Sequence, residues 1–246
     1  LKFVKSMPKP FYKLPYFLKN SIIFVNHTKL HQHMLDLFLV IIAYLLGSIS
    51  TALFVSKRFY GIDIREHGSG NAGATNTFRV LGRKAGIVVM VADVLKGFIA
   101  VQLAIFSHYP WHPFGTSEAF VNLQIFLGIA VVLGHIFPIF AGFRGGKGIA
   151  TLFGMILGIQ PLVALSLAGI FFIILFATKY VSLSSIIASI TFPLLIVYIF
   201  RQPEMSYKIF AIGAAAAVIL THYKNIGRLL SGSESKLEFA LFDEGA

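Results

Sequence analysis

Residues 148–178 read GIATLFGMILGIQPLVALSLAGIFFIILFAT, without a single charged side chain. A helix crosses the hydrocarbon core of a bilayer in about 20 apolar residues, so this stretch is too long for one span. Pro161 interrupts it, and proline removes a backbone donor and breaks a helix. We therefore predict a short helix before Pro161 and a full transmembrane helix after it.

Apolar segments of the same kind lie on both sides of this stretch. The chain is 57% hydrophobic and only 13% charged, which is too few charges to hydrate the surface of a 27.1 kDa globule. Lipid is the natural solvent for the excess apolar surface. These segments and the two helices of 148–178 together predict an all-α integral membrane protein of about seven transmembrane helices. The other segments are 37–56, 86–106, 119–140, 181–200 and 205–223.

Lysine and arginine are distributed unevenly between the connecting loops. The first loop, residues 57–84, holds six of them, the second loop, residues 107–118, holds none, and the third contains Arg144 and Lys147. Basic loops tend to remain in the cytoplasm. We therefore predict that loops one and three and the carboxyl terminus are cytoplasmic, with the amino terminus outside. Because topology accounts for the formal charge of +11, we predict no nucleic-acid partner.

The long apolar body is flanked by two further segments. Residues 1–33 carry six lysines and no acidic residue, although the predicted topology places them outside, and they precede Met34. We expect this basic extension to be dispensable for activity. Residues 34–236 then form one membrane domain, and residues 237–246 form a short cytoplasmic tail. The absence of cysteine excludes a thiolate metal site and a cysteine nucleophile.

The first cytoplasmic loop contains the segment HGSGNAGATNTFR at residues 67–79. Its glycines let the backbone approach a ligand closely, and Arg79 offers a planar fork suited to phosphate. If a helix begins near Asn71, then Asn71, Thr75 and Arg79 share one face at a spacing of four. Composition does not separate a phosphate site from an ordinary polar loop with turn glycines. The uncharged donors of the segment are Ser69, Asn71, Thr75 and Asn76.

The third loop contains the segment GFRGGKGIAT at residues 142–151, directly before an apolar helix. A glycine-rich turn with Lys147 at a helix amino terminus is the outline of an anion site. It is not a Walker A motif, because Ala141 and Gly148 stand where that motif needs glycine and a hydroxyl residue. Taken alone, the segment fits slightly better as a flexible hairpin whose cations only obey the positive-inside rule.

Further polar positions lie in the last cytoplasmic segment and inside the membrane. His222 and Asn225 have a spacing of three and share one face if the last helix continues, although a histidine there is also typical of a membrane interface. Asp93 and Lys96 lie one helical turn apart within a span, where charges indicate function or a structural ion pair about equally. His135 is explained more simply as a donor to a backbone carbonyl.

Taken together, the three cytoplasmic segments resemble those of the bacterial acyl-phosphate:glycerol-3-phosphate acyltransferases, often called PlsY. The family pattern G-S-G-N-x-G-A-T-N-x-x-R matches residues 68–79, and G-H-x-F-P followed by F-x-G-G-K-G matches 134–148. The pattern H-x-x-N-I-x-R-L matches 222–229, with G-x-E at 232–234. The resemblance extends over about residues 35–236, with departures at Thr221 and Lys224, where the family usually has basic and acidic residues.

The resemblance implies transfer of a fatty acyl group from acyl phosphate to glycerol 3-phosphate, giving lysophosphatidic acid and phosphate in phospholipid biosynthesis. It implies no cofactor and no metal, a bacterial inner membrane location and an active site on the cytoplasmic face. The expected partners are the two phosphate substrates and membrane lipid. No small-residue interface stands out in the sequence, so we expect a monomer.

The matched motifs also imply the site residues. Arg79 and Lys147 are expected to hold phosphoryl groups, and the glycines of the third loop to offer backbone amides to glycerol 3-phosphate. His222 is either the general base or a residue that orients the substrate while the donor phosphate takes the proton. The reaction centre comprises Ser69, Arg79, Lys147, His222 and Asn225. The substrate-binding set is Gly68, Gly70, Asn71, Asn76, Lys96, His135, Gly145, Gly146, Gly148, Thr151 and Ser182.

Two other classes of protein remain as alternatives. A transporter for a phosphorylated small molecule also uses glycine-broken helices near a substrate anion, but it places polar groups at the bilayer midplane between repeated halves. A non-catalytic membrane scaffold would not require three glycine-rich polar segments on one side. The position of these segments in the fold therefore separates the alternatives.

Overall fold

The computed structural model describes residues 16–107 and 117–237, with side chains from residue 31 onward. Most of the predicted extension 1–33 and almost all of the predicted tail 237–246 lie outside the described side chains. The described part is entirely helical apart from turns and loops, which confirms the all-α class. Its α-helices are α1 (Tyr16–Ser48), α2 (Thr51–Tyr60), α3 (Ala74–Leu81), α4 (Arg83–Gln102), α5 (Glu118–Ile136), α6 (Ile149–Ile159), α7 (Pro161–Thr178), α8 (Val181–Leu194), α9 (Met205–Thr221) and α10 (Tyr223–Leu230).

Every segment predicted to span the membrane is mostly helical in the structure. Among the described residues, five helical segments are long and apolar enough to cross a bilayer, or six if the bent pair α9 and α10 forms one span. Helix α6 has only 11 residues and rises roughly 16 Å, about half of the hydrocarbon thickness. Proline at the start of α7 causes the predicted break after this short helix. The chain is thus a multi-pass membrane protein.

The first predicted span is interrupted where α1 ends at Ser48 and α2 begins at Thr51. A break in a membrane helix leaves backbone carbonyls without their helical donors. Lys96 of α4 supplies the missing donor, because its Nζ lies 3.4 Å from the Gly47 carbonyl oxygen and 3.3 Å from that of Ile49. The intramembrane lysine therefore joins α4 to the break.

Glycines bring two helix pairs into backbone contact. A Cβ added to Gly97 of α4 would lie 2.1 Å from the Thr151 carbonyl oxygen, and one added to Gly154 of α6 would lie 1.9 Å from that of Val94. Gly47 and Gly134 make the same kind of contact between α1 and α5. Small residues allow membrane helices to approach this closely. The contact between Gly97 and Thr151 fixes the amino-terminal end of α6, which follows the third loop, against α4.

The predicted helix in the first loop begins later than expected. Helix α3 starts at Ala74 with the extended Gly73 as its amino-terminal cap, so Asn71 lies outside it. The predicted face of three residues is therefore wrong for Asn71, and only Thr75 and Arg79 lie one turn apart in the helix. The two glycines at 68 and 70, with φ of +60° and +72°, keep the preceding segment in a tight non-helical loop.

Candidate active site

Three segments far apart in sequence meet at one end of the helix bundle. The Arg65 guanidinium donates to the Ala141 carbonyl at 2.9 Å, which joins the first loop to the third. Lys147 Nζ donates to the side-chain oxygen of Asn225, which joins the third loop to the last segment. The predicted convergence of the three polar segments is therefore present in the fold.

Asn76 holds the first loop in its shape. Its side chain is buried, with Oδ1 accepting from the Ser69 amide at 2.8 Å. Its Nδ2 donates to the Ile64 and His67 carbonyls at 3.1 and 2.9 Å. A Cβ at Gly68 would lie 2.4 Å from Asn76 Oδ1. Because this amide is engaged within the loop, its contacts favour a positioning role over direct contact with a ligand.

Ser69 and Arg79 are presented by the loop that Asn76 organises. Ser69 lies between Gly68 and Gly70, and all three are exposed. Arg79 is exposed in the last turn of α3, and within the described residues no ion pair engages its guanidinium. A fork with free donors beside a glycine-rich turn is suited to a phosphoryl group. Asn71 is half-buried beside Gly73.

The backbone amides of Gly145 and Gly146 are already used inside the protein. Gly145 N–H donates to the Ile136 carbonyl at 3.2 Å, and Gly146 N–H donates to that of His135 at 3.1 Å. The expectation that these two amides face glycerol 3-phosphate therefore conflicts with the hydrogen bonds observed. Glycine is needed at position 145 for another reason, because a Cβ there would lie 2.0 Å from the His135 carbonyl oxygen.

The start of α6 keeps the features of an anion site. Gly148 caps the helix with φ of +79°, and no side chain caps its first turn. The first amides of a helix have no helical acceptor and carry the positive end of the helix dipole. Lys147 lies immediately before this turn, so a cation and free helix amides share one location.

Glu234 ties the last segment to two helices. Its carboxylate, only 6% exposed, accepts from Ser182 at 2.8 Å, from Asn225 at 2.6 Å and from Arg228 at 2.6 Å. Burial would raise the pKa of Glu234, but the hydrogen bonds from Asn225, Arg228 and Ser182 hold it below its usual value. The sequence motif included Glu234, but nothing in its pattern indicated that this carboxylate fixes the Lys147 partner Asn225.

We predict that Glu234→Ala lowers kcat/KM for glycerol 3-phosphate, the substrate that the resemblance implies, roughly tenfold to hundredfold, because hydrogen bonds to a charged group contribute about 1.5–3 kcal/mol each. Steady-state kinetics on purified protein tests this. Glu66→Ala is the matched control, since Glu66 is an exposed carboxylate at the same end of the bundle. Retention of kcat/KM within about twofold in a folded Glu234→Ala variant would contradict the positioning role.

Lys147 lies in a strongly basic environment. Burial lowers the pKa of Lys147 to about 8, the negative charge of Glu234 opposes this, and the positive charges of Arg228 and Arg79 add to it. Arg79 and Arg228 are thus each within electrostatic reach of Lys147. Three cations with one carboxylate, Glu234, acting on Lys147 form an environment suited to binding phosphate groups.

This pKa has a measurable consequence. Lys147 is charged below about pH 8 and neutral above it, so kcat/KM for glycerol 3-phosphate should fall as pH rises through about 8. A phosphate monoester, with a second pKa of about 6, remains a dianion over this range. Lys147→Arg keeps its charge and should remove the fall between pH 7 and 9.5 if it retains activity. Parallel profiles for the two proteins would assign the titration to another group.

His222 lies at the bend between α9 and α10 and is 2% exposed. Its Nδ1 is 2.8 Å from the Val218 carbonyl oxygen, which can only accept, so Nδ1 carries the proton. The neutral ring then presents Nε2 as an acceptor. This is the tautomer that a general base requires.

A buried polar network lies beneath the third loop. Lys96 Nζ is 2.8 Å from Asp93 Oδ1, and Thr51 donates to the same oxygen at 3.3 Å. His135 Nδ1 is 3.2 Å from the Thr151 hydroxyl and 3.6 Å from Asp93 Oδ1. Within the part of the chain that the structure describes, the His135 ring therefore contacts side chains, and not the backbone carbonyl that the simpler interpretation expected. On its other side, its Nε2 would be 2.2 Å from a Cβ at Gly146.

Comparison with known proteins gives consistent matches over nearly the whole described chain. A family model for glycerol-3-phosphate acyltransferase matches residues 37–232. Glycerol-3-phosphate acyltransferase of Chlorobaculum tepidum is 42% identical over 223 residues, covering 82% of this chain and 96% of the relative. Glycerol-3-phosphate acyltransferase 2 of Bacillus cereus is 47% identical over 205 residues, covering 82% and 95% of the two chains.

Solved structures agree with these sequence matches. The fold is similar to a crystal structure of PlsY, an integral membrane glycerol 3-phosphate acyltransferase, in its glycerol 3-phosphate form. That chain is 40% identical, with a TM-score of 0.75 and coverage of 85% of this chain and 99% of its own. The lysophosphatidic acid form of PlsY gives a TM-score of 0.71 at 40% identity, covering 82% and 95%.

Proposed function

Since the chain belongs to the glycerol-3-phosphate acyltransferase family, we propose that it transfers a fatty acyl group from acyl phosphate to glycerol 3-phosphate. The products are lysophosphatidic acid and inorganic phosphate. The observation that carries this proposal is the junction of Lys147, Asn225 and Glu234, which gathers the family's polar segments and their cations at one end of the bundle. Two anionic substrates need such a concentration of positive charge.

The reaction is a substitution at the acyl carbon. The glycerol 3-phosphate hydroxyl oxygen bonds to the acyl carbon, the bond from that carbon to the phosphate oxygen breaks, and phosphate leaves with the electron pair. The hydroxyl proton goes either to Nε2 of His222 or to the departing phosphate. Arg79 holds the acyl-phosphate group, and Ser69 donates a hydrogen bond to it. Charge that develops on the leaving phosphate is stabilised by the fixed cations.

Glycerol 3-phosphate binds next to Lys147 in this proposal. The first turn of α6 after Gly148 offers helix amides, and Arg228 adds positive charge nearby. Asn225 accepts from Lys147 and so orients its ammonium group. The observed hydrogen bonds of Gly145 and Gly146 leave the start of α6 as the better candidate for backbone recognition of the phosphate.

The remaining predicted residues are assigned to support of the site. Lys96, His135 and Thr151 belong to the buried network beneath the third loop, and Ser182 binds Glu234. Their contacts are to protein groups, so we assign them positioning roles. Asn76 acts in the same way on the first loop, with Gly68 and Gly70 allowing its turn, while Asn71 remains a candidate substrate donor.

We further propose the arrangement of the protein in the membrane. The distribution of Lys and Arg supports a cytoplasmic active site, an outside amino terminus and a cytoplasmic carboxyl terminus. Counting the short α6 gives seven membrane helices in the bacterial inner membrane. The protein acts as a monomer in contact with lipid. Residues 34–236 form the catalytic domain, while the extension 1–33 is dispensable and 237–246 form a tail.

A transporter is not favoured by the position of the polar segments. The glycine-rich loops and the last segment meet at one end of the bundle, where they connect α2 to α3, α5 to α6 and α9 to α10. A transport site would lie near the bilayer midplane between broken helices. The location at one end is suited to an enzyme that takes a soluble substrate from water and an acyl chain from lipid.

An assay of the purified protein with palmitoyl phosphate and glycerol 3-phosphate tests the function and the donor. We predict phosphate release that requires both substrates and yields lysophosphatidic acid. Palmitoyl-CoA in place of palmitoyl phosphate should give no efficient turnover, because no part of the sequence is large enough to bind a nucleotide or dock a carrier protein. Efficient transfer from palmitoyl-CoA would reject acyl phosphate as the specific donor.

A further inference from the structure

An apolar groove with basic residues at its mouth lies on the outer surface of the bundle, between α2 and α4. Its volume is about 340 Å³. We call it the basic groove. Phe59, Tyr60 and Val88 are 67%, 46% and 54% exposed. The groove therefore opens to the outside of the bundle. Its lining comprises Val55, Phe59, Tyr60, Lys84, Ala85 and Val88.

The groove carries cations of its own. Lys84 lines it, and the Arg58 guanidinium lies 5.8 Å from the centroid of the Phe59 ring, which also lines it. Both basic side chains are exposed, and among the residues that the structure describes neither forms an ion pair. Asp63, the acid close in sequence, is already paired with Lys57 and Arg65.

The position of the groove along α2 and α4 suits a lipid. Helix α2 ends at Tyr60 and α4 begins at Arg83, so the basic mouth lies where both helices leave the membrane. Aromatic residues are typical of that interface, and basic pockets between membrane helices bind anionic headgroups there. The apolar cleft below the mouth can accommodate an acyl chain. The two cations at the mouth can bind a phosphate.

We propose that the basic groove binds an anionic diacyl glycerophospholipid of the surrounding bilayer, with its phosphate held by Arg58 and Lys84 and one acyl chain in the cleft. Arg58 and Lys84 are different residues from Arg79, Lys147 and Arg228, to which the substrates are assigned. Val55 and Ala85 of the lining also pack in the core beneath the first loop, with Ile64 and Ala72. Bound lipid therefore stabilises the folded protein.

The test is thermal unfolding of the full chain in detergent, with dioleoylphosphatidylglycerol added. We expect Tm to rise by about 5 °C near saturation and to change little with dioleoylphosphatidylcholine, which has the same chains and no net charge. The double variant Arg58→Gln/Lys84→Gln should lose the rise. Lys224→Gln/Lys236→Gln removes the same charge from the last segment and should keep it. Equal stabilisation by both lipids, or retention of the rise in the first variant, would overturn the proposal.

A second variant tests the cleft without changing charge. Val88→Trp fills the groove and should reduce the phosphatidylglycerol effect, whereas Leu162→Trp, at an exposed position on α7, should not. The Tm measurement requires no turnover, so it is independent of the proposed enzymatic function. KM for palmitoyl phosphate should remain within about twofold in Arg58→Gln/Lys84→Gln. If that KM rises strongly and lysophosphatidic acid stabilises where phosphatidylglycerol does not, the groove holds the substrate chain and the proposal is rejected.

Discussion

Arg79→Ala is expected to lower kcat by roughly 10²-fold or more, as the loss of one oxyanion donor does in other enzymes. Arg79 is exposed on α3 beside the glycine-rich turn that presents Ser69, and it lies within electrostatic reach of Lys147. We place it on the acyl-phosphate group, whose charge changes as the acyl–oxygen bond breaks. Interactions that strengthen in the transition state act on kcat.

Steady-state kinetics with each substrate varied in turn tests the role of Arg79. Arg144→Ala is the matched control, because Arg144 is an exposed arginine of the third loop at the same end of the bundle. It should keep kcat within a few fold. Arg79→Lys retains the charge but not the planar fork. Its kcat should lie between those of Arg79→Ala and Arg144→Ala. If Arg79→Ala changes only the KM for glycerol 3-phosphate, the two anion loops have been assigned the wrong way round.

Gly146→Ala is expected to lower kcat/KM by roughly 10²-fold, because a displacement of catalytic groups by about 1 Å can have that effect. The added Cβ would lie 2.2 Å from His135 Nε2 and 2.9 Å from the Ala72 carbonyl oxygen. The third loop must then move away from both the first loop and the buried network. Lys147, the next residue, moves with it, so we expect kcat and both KM values to change.

Gly169→Ala is the matched control for this substitution. Gly169 lies in α7, and a Cβ there would meet nothing within 4 Å, so activity and Tm should remain near those of the parent protein. Kinetics are compared only for protein that elutes as a single folded species. A rise confined to the KM for glycerol 3-phosphate, at unchanged kcat, would instead support the simpler idea that the Gly146 amide faces that substrate.

The sequence by itself determined that this is a membrane protein and which apolar segments are helical, although not the break in the first span. Inside a bilayer each backbone donor and acceptor must be satisfied within its own segment or a closed sheet, so a long uncharged run has little choice but helix. The break at Pro161 follows from the missing amide of proline. The types of side chain that we propose to bind the two phosphates were likewise visible as three glycine-rich or basic segments outside the apolar runs.

The tertiary structure decided which of those groups act together. Glu234 reaches Ser182 across 52 positions of the chain and Lys147 reaches Asn225 across 78, and no local pattern encodes such contacts. The amides of Gly145 and Gly146 looked free in the sequence but bond to the end of α5. Hydrogen bonding and close packing depend on distances between segments, which are set by how the helices pack. The sequence alone therefore names the chemistry of the site, and only the packed helices determine its geometry.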